Sequence, residues 1–152
     1  MMELKLTDES NTDFQKLVQA LEQEYYDIHG EIALKYKEYN KITDPHVVLL
    51  AIENKKPIAC GSFKKINENS IEIKRVFVNK NHRKQGMATE IIKKLEEIAV
   101  KQGYVYSFLE TGKENIAAIA TYEKLGYLKI ENTGFFKEDE ICLSMKKDLR
   151  SL

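Results

Sequence analysis

The sequence predicts a mixed α/β (α+β) fold, in which a largely antiparallel, twisted sheet of about six to seven strands is flanked by about four helices. Segments with helical and strand periodicity follow one another in the order β-α-α-β-β-β-α-β-α-β-β. Hairpin-type turns join the three central strands, and a β-α-β unit follows them, which indicates a mixed sheet with helices on its faces. Because 152 residues suffice for one sizeable core, we expect a single domain over residues 1–152.

The N-terminal part of the chain reads as one strand and two helices. In residues 3–7, polar and apolar side chains alternate, which is typical of a short strand. An amphipathic helix follows, and the Thr-x-x-Gln spacing at Thr12 is typical of a capping box. A second, less regular helix is expected from Tyr25 to about Asn40, with Gly30 as a break.

The middle of the chain has strand periodicity. Residues 46–53, 58–66 and 71–78 are expected to form an antiparallel meander, because the stretches NKKP and NENS between them have hairpin-loop composition. Residues 132–139 are expected to form a loop over a site or an interface. The other expected elements are a helix with an apolar face from Ile91 to Ala99, a strand over 104–111, a helix from about Asn115 to Leu125, and strands over 127–130 and 141–145.

The charge balance excludes any global attraction to nucleic acid or to anionic membranes. Lys+Arg and Asp+Glu both total 24, so the formal net charge is zero. The local exception is the run from 74 to 84, which contains five Lys or Arg residues and no acid. No apolar run approaches the roughly 20 residues of a membrane span, and no secretory signal opens the sequence. We therefore expect a cytoplasmic protein without nucleic-acid or membrane partners.

The cysteines and histidines give no sign of a disulfide or a metal centre. Cys60 and Cys142 lie in apolar or alternating runs, which favours free, buried thiols. His29, His46 and His82 are too dispersed along the chain to form a ligand cluster. We expect no metal.

The stretch HRKQGMAT, residues 82–89, joins a predicted strand to a predicted helix. A helix N-terminus presents unpaired N–H groups, and Gly86 with the small Ala88 would let an anion approach them closely. Arg83 and Lys84 would add charge, and Thr89 would add a hydroxyl. A helix start with solvated charges explains this stretch equally well.

Two stretches carry a family resemblance. RKQGMA fits the signature Gln/Arg-x-x-Gly-x-Gly/Ala, and LETGKENIAAIATYEKLGY fits a second conserved stretch of the same family. Over residues 46–130 the chain therefore resembles the GNAT family, the Gcn5-related N-acetyltransferases, with Ala88 and Tyr127 as its small departures. The resemblance implies a GNAT-like domain that transfers an acetyl group from acetyl-CoA to an amine. By that similarity, the donor would be contacted by the backbone of Val76, Phe77 and Val78, by Lys84, Gln85, Gly86, Met87, Ala88 and Thr89, and by Asn115 and Tyr122.

Two residues are candidates for proton transfer. Tyr122 would be the acid that protonates the departing thiolate, since a tyrosine with a pKa of about 10 is protonated at neutral pH. Asn115 and Tyr122 are seven residues apart, nearly two helical turns, and would point the same way. A tyrosine that packs in the core with its hydroxyl at the surface is the alternative.

Glu72 is the first candidate for the general base. In a regular strand it would share a face with Lys74 and Val76, near the expected thioester. A solvent-facing strand glutamate is the alternative. Glu110 is a second candidate base, and Arg75 could bind a substrate carboxylate.

The acceptor is expected to be a small amine or an amino-acid-like molecule. By the resemblance, the segment from Tyr25 to Asn40 would wall its site, with Tyr25, Tyr26 and His29 as candidate contacts; plain helix-to-sheet packing is the alternative for these side chains. With no serine or cysteine nucleophile indicated, we expect direct attack in a ternary complex.

Three other functions stay open at this point. The chain could acetylate a protein or peptide, or it could bind acyl-CoA without catalysis. The run 74–84 could also be a nucleic-acid patch, although the zero net charge opposes this. Because the family often dimerises, a homodimer is a further expectation.

Overall fold

The computed structural model describes residues 2–132 and 137–152, so part of the predicted loop over 132–139 lies outside the described residues. Within these ranges it contains four α-helices and seven strands, which confirms the predicted fold class. The elements are β1 (Met2–Asp8), α1 (Thr12–His29), α2 (Ile32–Tyr39), β2 (Val47–Glu53), β3 (Lys56–Asn67), β4 (Ser70–Val78), α3 (Met87–Lys101), β5 (Tyr106–Gly112), α4 (Ile116–Lys124), β6 (Leu128–Ile130) and β7 (Cys142–Asp148), with short 3₁₀ turns at Lys80–His82 and Leu149–Ser151.

The strands form one sheet in the order β1-β2-β3-β4-β5-β7-β6. All neighbouring strands are antiparallel except β4 and β5, which are parallel and joined through α3. The sheet has an apolar cluster on each face. One cluster joins it to α3 and includes Ile71, Ile91, Leu95 and Met145; the other, with Phe14 and other residues of α1, covers the opposite face. Each such side chain stabilises the fold by about 1.5–3 kcal/mol when it is fully buried.

The first helix differs from the prediction at both ends. Its N-cap is Asn11, whose side-chain oxygen accepts a hydrogen bond from the Phe14 N–H, so the predicted capping box at Thr12 is wrong. The helix also continues without interruption to His29, and it ends at Gly30, which takes a positive φ of 69°. The predicted second helix therefore begins only at Ile32.

A β-bulge interrupts β4. One residue, Gly61, separates Cys60 from Ser62 on β3, whereas two residues, Arg75 and Val76, separate their partners on β4. Arg75 takes a φ of 58°, which is uncommon for a residue other than glycine. A Cβ at Gly61 would come within 2.5 Å of a buried Ile91 methyl group, so only glycine lets α3 approach the sheet this closely.

The bulge reverses the alternation of side chains along β4. Ile71 and Ile73 before the bulge, and Val76 and Val78 after it, all pack on the α3 side. Glu72 and Lys74 therefore lie on the opposite face from Val76. The prediction that these three residues share one face of a regular strand is wrong, because the extra residue shifts the phase by one.

β4 and β5 separate after a short common stretch. Their parallel pairing covers only three residue pairs, from Ser70 with Tyr106 to Glu72 with Phe108. Beyond these pairs β4 continues along β3, while β5 continues along β7. The sheet therefore opens into a gap between residues 73–78 of β4 and 109–112 of β5.

A polar network is buried between α3 and the second half of the sheet. Glu96 accepts hydrogen bonds from Lys147 at 2.9 Å and from the Tyr127 hydroxyl at 2.9 Å, and Tyr127 also shares a hydrogen bond with Ser107. The Glu96 and Lys147 side chains are only 1% and 8% exposed. The network joins α3, β5, β7 and the residue before β6.

Both cysteines are free and buried, as predicted. Cys60 packs among the residues of α1, and Cys142 packs with Tyr36. Among the helices that the structure describes, none is long and apolar enough to cross a bilayer.

Candidate active site

A cleft of about 710 Å³ opens at the separation of β4 and β5. Residues of α1 and α2 form one wall and the two separating strands form the other. The lining includes Asn115 and Tyr122, from the start and the body of α4, so the cleft reaches through the sheet toward the α4 side. The gap thus connects two faces of the sheet at a single point.

Glu72 and Glu110 place two carboxylates in this cleft. Glu72 of β4 pairs with Phe108 of β5 in the last residue pair before the two strands separate. Glu110 lies two residues after Phe108, so its side chain is on the same face of β5 as that of Phe108. Burial and, to a smaller extent, the negative charges of Glu72 and Asp139 raise the pKa of Glu110 to about 7. The Ser144 hydroxyl, which donates a hydrogen bond to Glu110, and the positive charge of Lys74 act in the opposite direction. Glu110 therefore exchanges a proton near neutral pH.

Lys74 and Arg75 bring positive charge to the same wall, and of these two only Arg75 forms a salt bridge with a described residue. Arg75 donates hydrogen bonds to Glu22 at 3.1 Å and to the Asn40 carbonyl at 2.7 Å, which ties α1 and the end of α2 to the bulge. The guanidinium that sequence reasoning offered to a substrate carboxylate is thus engaged within the protein. Lys74 Nζ lies 4.8 Å from the centroid of the Tyr39 ring, and burial lowers its pKa.

Tyr122 and Asn115 lie on the α4 side of the cleft, as their spacing suggested. Asn115 is the N-cap of α4, and its side-chain oxygen accepts a hydrogen bond from the Ala118 N–H at 3.2 Å. Within the described part of the chain the Tyr122 hydroxyl has no hydrogen-bond partner, and its ring meets Tyr127 edge-on with 6.1 Å between centroids. Burial raises the pKa of Tyr122 to about 12, so this hydroxyl stays protonated at physiological pH.

The loop before α3 presents a row of unpaired backbone N–H groups. Lys84 and Gly86 both take left-handed conformations, with φ of 65° and 77°, and no side chain caps the helix. A Cβ at Gly86 would meet nothing within 4 Å, so open space lies in front of this backbone. Within the described residues no acceptor reaches the N–H groups of Gln85, Gly86, Met87, Ala88 and Thr89. This concave run of donors at the positive end of a helix dipole fits a phosphate group.

The two cations of this loop have different surroundings. Arg83 donates hydrogen bonds to the Val78 carbonyl at 2.8 Å and to Glu24 at 2.6 Å, so its charge is already balanced by α1. Lys84 is exposed and forms no salt bridge within the described ranges. Lys84 is therefore the cation of this pair that is available to a phosphate.

The candidate acceptor residues of α1 are only partly brought together. Tyr25 and Tyr26 line the cleft, and burial raises the pKa of Tyr25 to about 12. His29 does not line the cleft, since its ring packs on Tyr25 with 4.3 Å between centroids. His29 lies one helical turn after Tyr25, and a contact of His29 with the acceptor stays a prediction.

Several cleft residues had no signal in the sequence. Glu22 becomes part of the wall through its ion pair with Arg75, and Ser144 reaches Glu110 because β7 runs antiparallel to β5. Asp139 accepts a hydrogen bond from the Tyr36 hydroxyl, which links α2 to the residues before β7. These contacts depend on the strand register and on how α1 and α2 pack against the sheet, so they could not be inferred from the sequence.

Comparison with known proteins identifies the family. Residues 12–127 match the acetyltransferase (GNAT) family, which is more than half of the chain. The chain belongs to the GNAT family. The resemblance carried by RKQGMA and the α4 stretch is thereby confirmed, and acetyl-CoA is the acyl donor that this family uses.

Curated relatives of this GNAT protein are N-acetyltransferases. It is 29% identical to the uncharacterized N-acetyltransferase YsnE of Bacillus subtilis over 112 residues, which cover 72% of this chain and 74% of YsnE. It is 30% identical to human N-acetyltransferase 8 over 70 residues, which cover 46% of this chain. The match spans only 31% of the human protein, so less than a third of that relative is represented.

Solved structures share the whole GNAT fold. A Klebsiella pneumoniae protein assigned as an acyl-CoA N-acyltransferase superposes with a TM-score of 0.79 at 22% identity, covering 98% of both chains. A GNAT acetyltransferase from Elizabethkingia anophelis with acetyl-CoA bound superposes with a TM-score of 0.70 at 16% identity, covering 97% of both chains. At these identities the likeness establishes the fold alone.

Proposed function

We propose that this protein is an N-acetyltransferase that transfers an acetyl group from acetyl-CoA to the primary amine of a small molecule by direct attack in a ternary complex. The observation that carries this proposal is the gap between β4 and β5, which connects the Tyr122 side of the sheet to the cleft that holds Glu72 and Glu110. A donor on one side and an amine on the other would meet in this gap.

The donor site is assigned to backbone groups. The N–H groups from Lys84 to Thr89 would hold the pyrophosphate, with Lys84 as the added charge. Among the described strands, none pairs with Val76, Phe77 or Val78 on the β5 side, so their free backbone groups can hydrogen-bond to a ligand in the gap. The Val78 carbonyl is the exception, because it already accepts a hydrogen bond from Arg83. When bound, acetyl-CoA supplies the thioester carbonyl that the amine attacks.

We assign the general base to Glu110 in preference to Glu72. A base works best when its pKa lies near the operating pH, and burial places the pKa of Glu110 at about 7. Glu110 takes the proton that the amine must lose before or during formation of the new C–N bond. Glu72 lies beside it and attracts the cationic amine to the cleft.

Tyr122 is assigned as the general acid. Three observations support this assignment: Tyr122 lines the cleft, burial keeps its hydroxyl protonated at neutral pH, and the hydroxyl has no hydrogen-bond partner in the described residues. As the C–S bond breaks, Tyr122 gives its proton to the departing thiolate. Asn115 is expected to contact the donor at the start of α4.

Two measurements test the proposal. Calorimetric titration with acetyl-CoA should show binding, and a thiol-release assay over a panel of small amines should show turnover. Binding without turnover of any small amine would instead support an acyl-CoA-binding module. Turnover confined to peptides would support a protein or peptide acetyltransferase.

A further inference from the structure

The cleft on the α1–α2 side of the sheet brings opposite charges close together. Glu72 and Lys74 are two residues apart on β4 and lie on one face before the bulge. Glu110 lies two residues beyond the Glu72–Phe108 pair, which places it level with Lys74 across the gap. Two anions and one cation therefore surround the point where the strands separate.

These charges are not neutralised by direct ion pairs. Among residues 2–132 and 137–152, the salt bridges involve none of Glu72, Lys74 and Glu110. Lys74 Nζ lies 4.8 Å from the centroid of the Tyr39 ring, and the negative charges of Glu72 and Asp44 act on it from a distance. Glu110 accepts a hydrogen bond from the Ser144 hydroxyl. Burial lowers the pKa of this half-buried lysine and outweighs the opposing effect of Glu72 and Asp44, so an anionic group in direct contact with Lys74 would be stabilising.

The neighbouring arginine is already engaged within the protein through one terminal nitrogen of its guanidinium, while its buried Nε has no hydrogen-bond partner among the described residues. Arg75, with a side chain only 7% exposed, already holds Glu22 and the Asn40 carbonyl. Lys74 is thus the cation of this wall that can serve a ligand. The cleft is complementary to a molecule whose cationic amine meets Glu72 and Glu110 and whose anionic group meets Lys74.

We propose that the acceptor is a small zwitterion: a primary amine that carries a free carboxylate a few bonds away, as an α-amino acid does. Its carboxylate accepts a hydrogen bond from Lys74 Nζ, and this contact orients the amine toward the gap. Tyr25, Tyr26 and Tyr36 line the rest of the cleft and suit an apolar or aromatic side chain. This inference rests on the proposed acetyl transfer at the same cleft.

The test compares matched acceptors that differ only at the carboxylate. L-Phenylalanine, L-phenylalaninamide and 2-phenylethylamine form one set, and L-leucine, L-leucinamide and 3-methylbutylamine form another. We expect kcat/KM to be about tenfold to a hundredfold higher for the free acids, the range of a charge-assisted contact. Amidation lowers the pKa of the amine and supplies more neutral nucleophile, so this preference cannot arise from amine reactivity.

Substitutions at Lys74 test whether this residue causes the preference for acceptors with a free carboxylate. Lys74→Met should bring acid and amide to within about threefold of each other, whereas Lys74→Arg, which keeps the charge, should retain most of the preference. Lys101→Met is the matched control. Lys101 is exposed at the end of α3 and does not line the cleft, so its loss removes the same net charge and should leave the preference unchanged.

Binding measurements separate failure of this inference from failure of the proposed function. The same acids, amides and amines are titrated calorimetrically into the protein saturated with CoA, which needs no turnover. Acid binding that Lys74→Met weakens supports the zwitterion even if no acetyl transfer occurs. Equal or better binding and turnover of the amides or decarboxylated amines, or a preference that survives Lys74→Met, would overturn it.

Discussion

The carboxyl group of Glu110 is balanced between opposing neighbours at the residue scale. Burial, Glu72 and Asp139 favour its protonated form, while Ser144 and Lys74 favour the ionised form. The resulting pKa of about 7 makes its charge sensitive to small changes around it. Each neighbour can therefore be tested by the shift it produces in a pH profile.

The kcat/KM for acetyl transfer should rise with pH around the Glu110 pKa of about 7, because Glu110 must be ionised to accept a proton. Below this pH the carboxyl group is protonated and kcat/KM falls tenfold per pH unit. This fall is the acidic limb of the pH profile. Glu110→Gln should remove the acidic limb and lower kcat/KM at pH 8 by about a hundredfold. The profile is measured by thiol release with saturating acetyl-CoA, and a limb that persists unchanged in Glu110→Gln would assign the base elsewhere.

Two neighbours of Glu110 should move the same limb in opposite directions. Ser144→Ala removes the hydrogen bond that stabilises the carboxylate, so the limb should move to higher pH. Glu72→Gln removes a nearby negative charge, so the limb should move to lower pH. Shifts of the same sign in both variants would contradict the electrostatic account of this site.

Tyr122→Phe should reduce kcat by about a hundredfold and leave acetyl-CoA affinity within about twofold. The ring and its contact with Tyr127 remain, and only the proton donor is lost. Tyr104→Phe is the control, because its ring contacts Phe63 away from the cleft. If kcat in Tyr122→Phe equalled that of the control, Tyr122 would not be the acid.

At the scale of elements, the glycines at the two ends of α3 allow the effects of substituting them to be compared within one helix. Gly86 precedes α3 and Gly103 follows it, both in left-handed conformations, with φ of 77° and 94°, and both facing open space. Replacing either glycine imposes a similar backbone strain of about 1 kcal/mol. Only the first position lies at the row of unpaired N–H groups.

Gly86→Glu should therefore weaken acetyl-CoA binding at least about a hundredfold, because a carboxylate would stand where the pyrophosphate is expected. Gly103→Glu should lower the melting temperature by a similar amount but leave the affinity unchanged. Calorimetric titration and thermal unfolding of both variants distinguish the two effects. Equal losses of affinity in both variants would show that backbone strain alone is responsible.

At the scale of the whole molecule, the buried network of Glu96, Lys147, Tyr127 and Ser107 holds α3 to the second half of the sheet. This contact matters because β4 and β5 share only three residue pairs. Side chains that pack with α3 therefore add to the short backbone pairing that joins the two halves of the sheet. An ion pair with exposures of 1% and 8% depends on both partners.

Lys147→Met should destabilise the protein by about 3–5 kcal/mol, because it leaves Glu96 buried without its counter-ion. The double variant Glu96→Gln with Lys147→Met should recover a large part of this loss. Urea unfolding measures both free energies. If the single and double variants were equally unstable, packing of the Lys147 side chain rather than its charge would be the cause.

The order and type of the elements could be predicted because hydrophobic periodicity is a local property of the sequence. Helix α3, with Ile91 and Leu95 on one face, and the hairpin meander are the clearest examples. The bulge at Arg75 could not be predicted, since a left-handed arginine has no sequence signature. That one residue reversed the expected facing of Glu72 relative to Val76.

The candidate site was predictable only where its residues are close in sequence. The loop around Gly86 and the Asn115 to Tyr122 pair are local patterns and were found. The contacts of Glu110 with Ser144 and of Arg75 with Glu22 join residues 34 and 53 positions apart. Such pairs depend on strand register and helix docking, which no local pattern encodes.

The separation of β4 and β5 also bears on how this fold can change over generations. A site built from backbone N–H groups depends on chain path, and every amino acid except proline supplies such a group. Most side-chain replacements along β4 and the loop before α3 therefore leave those donors in place. Solved relatives that retain the fold at 16% to 22% identity accord with this tolerance. If the proposed function holds, inherited substitutions can change the α1–α2 wall, and with it the choice of acceptor, while the backbone groups proposed to bind the donor persist.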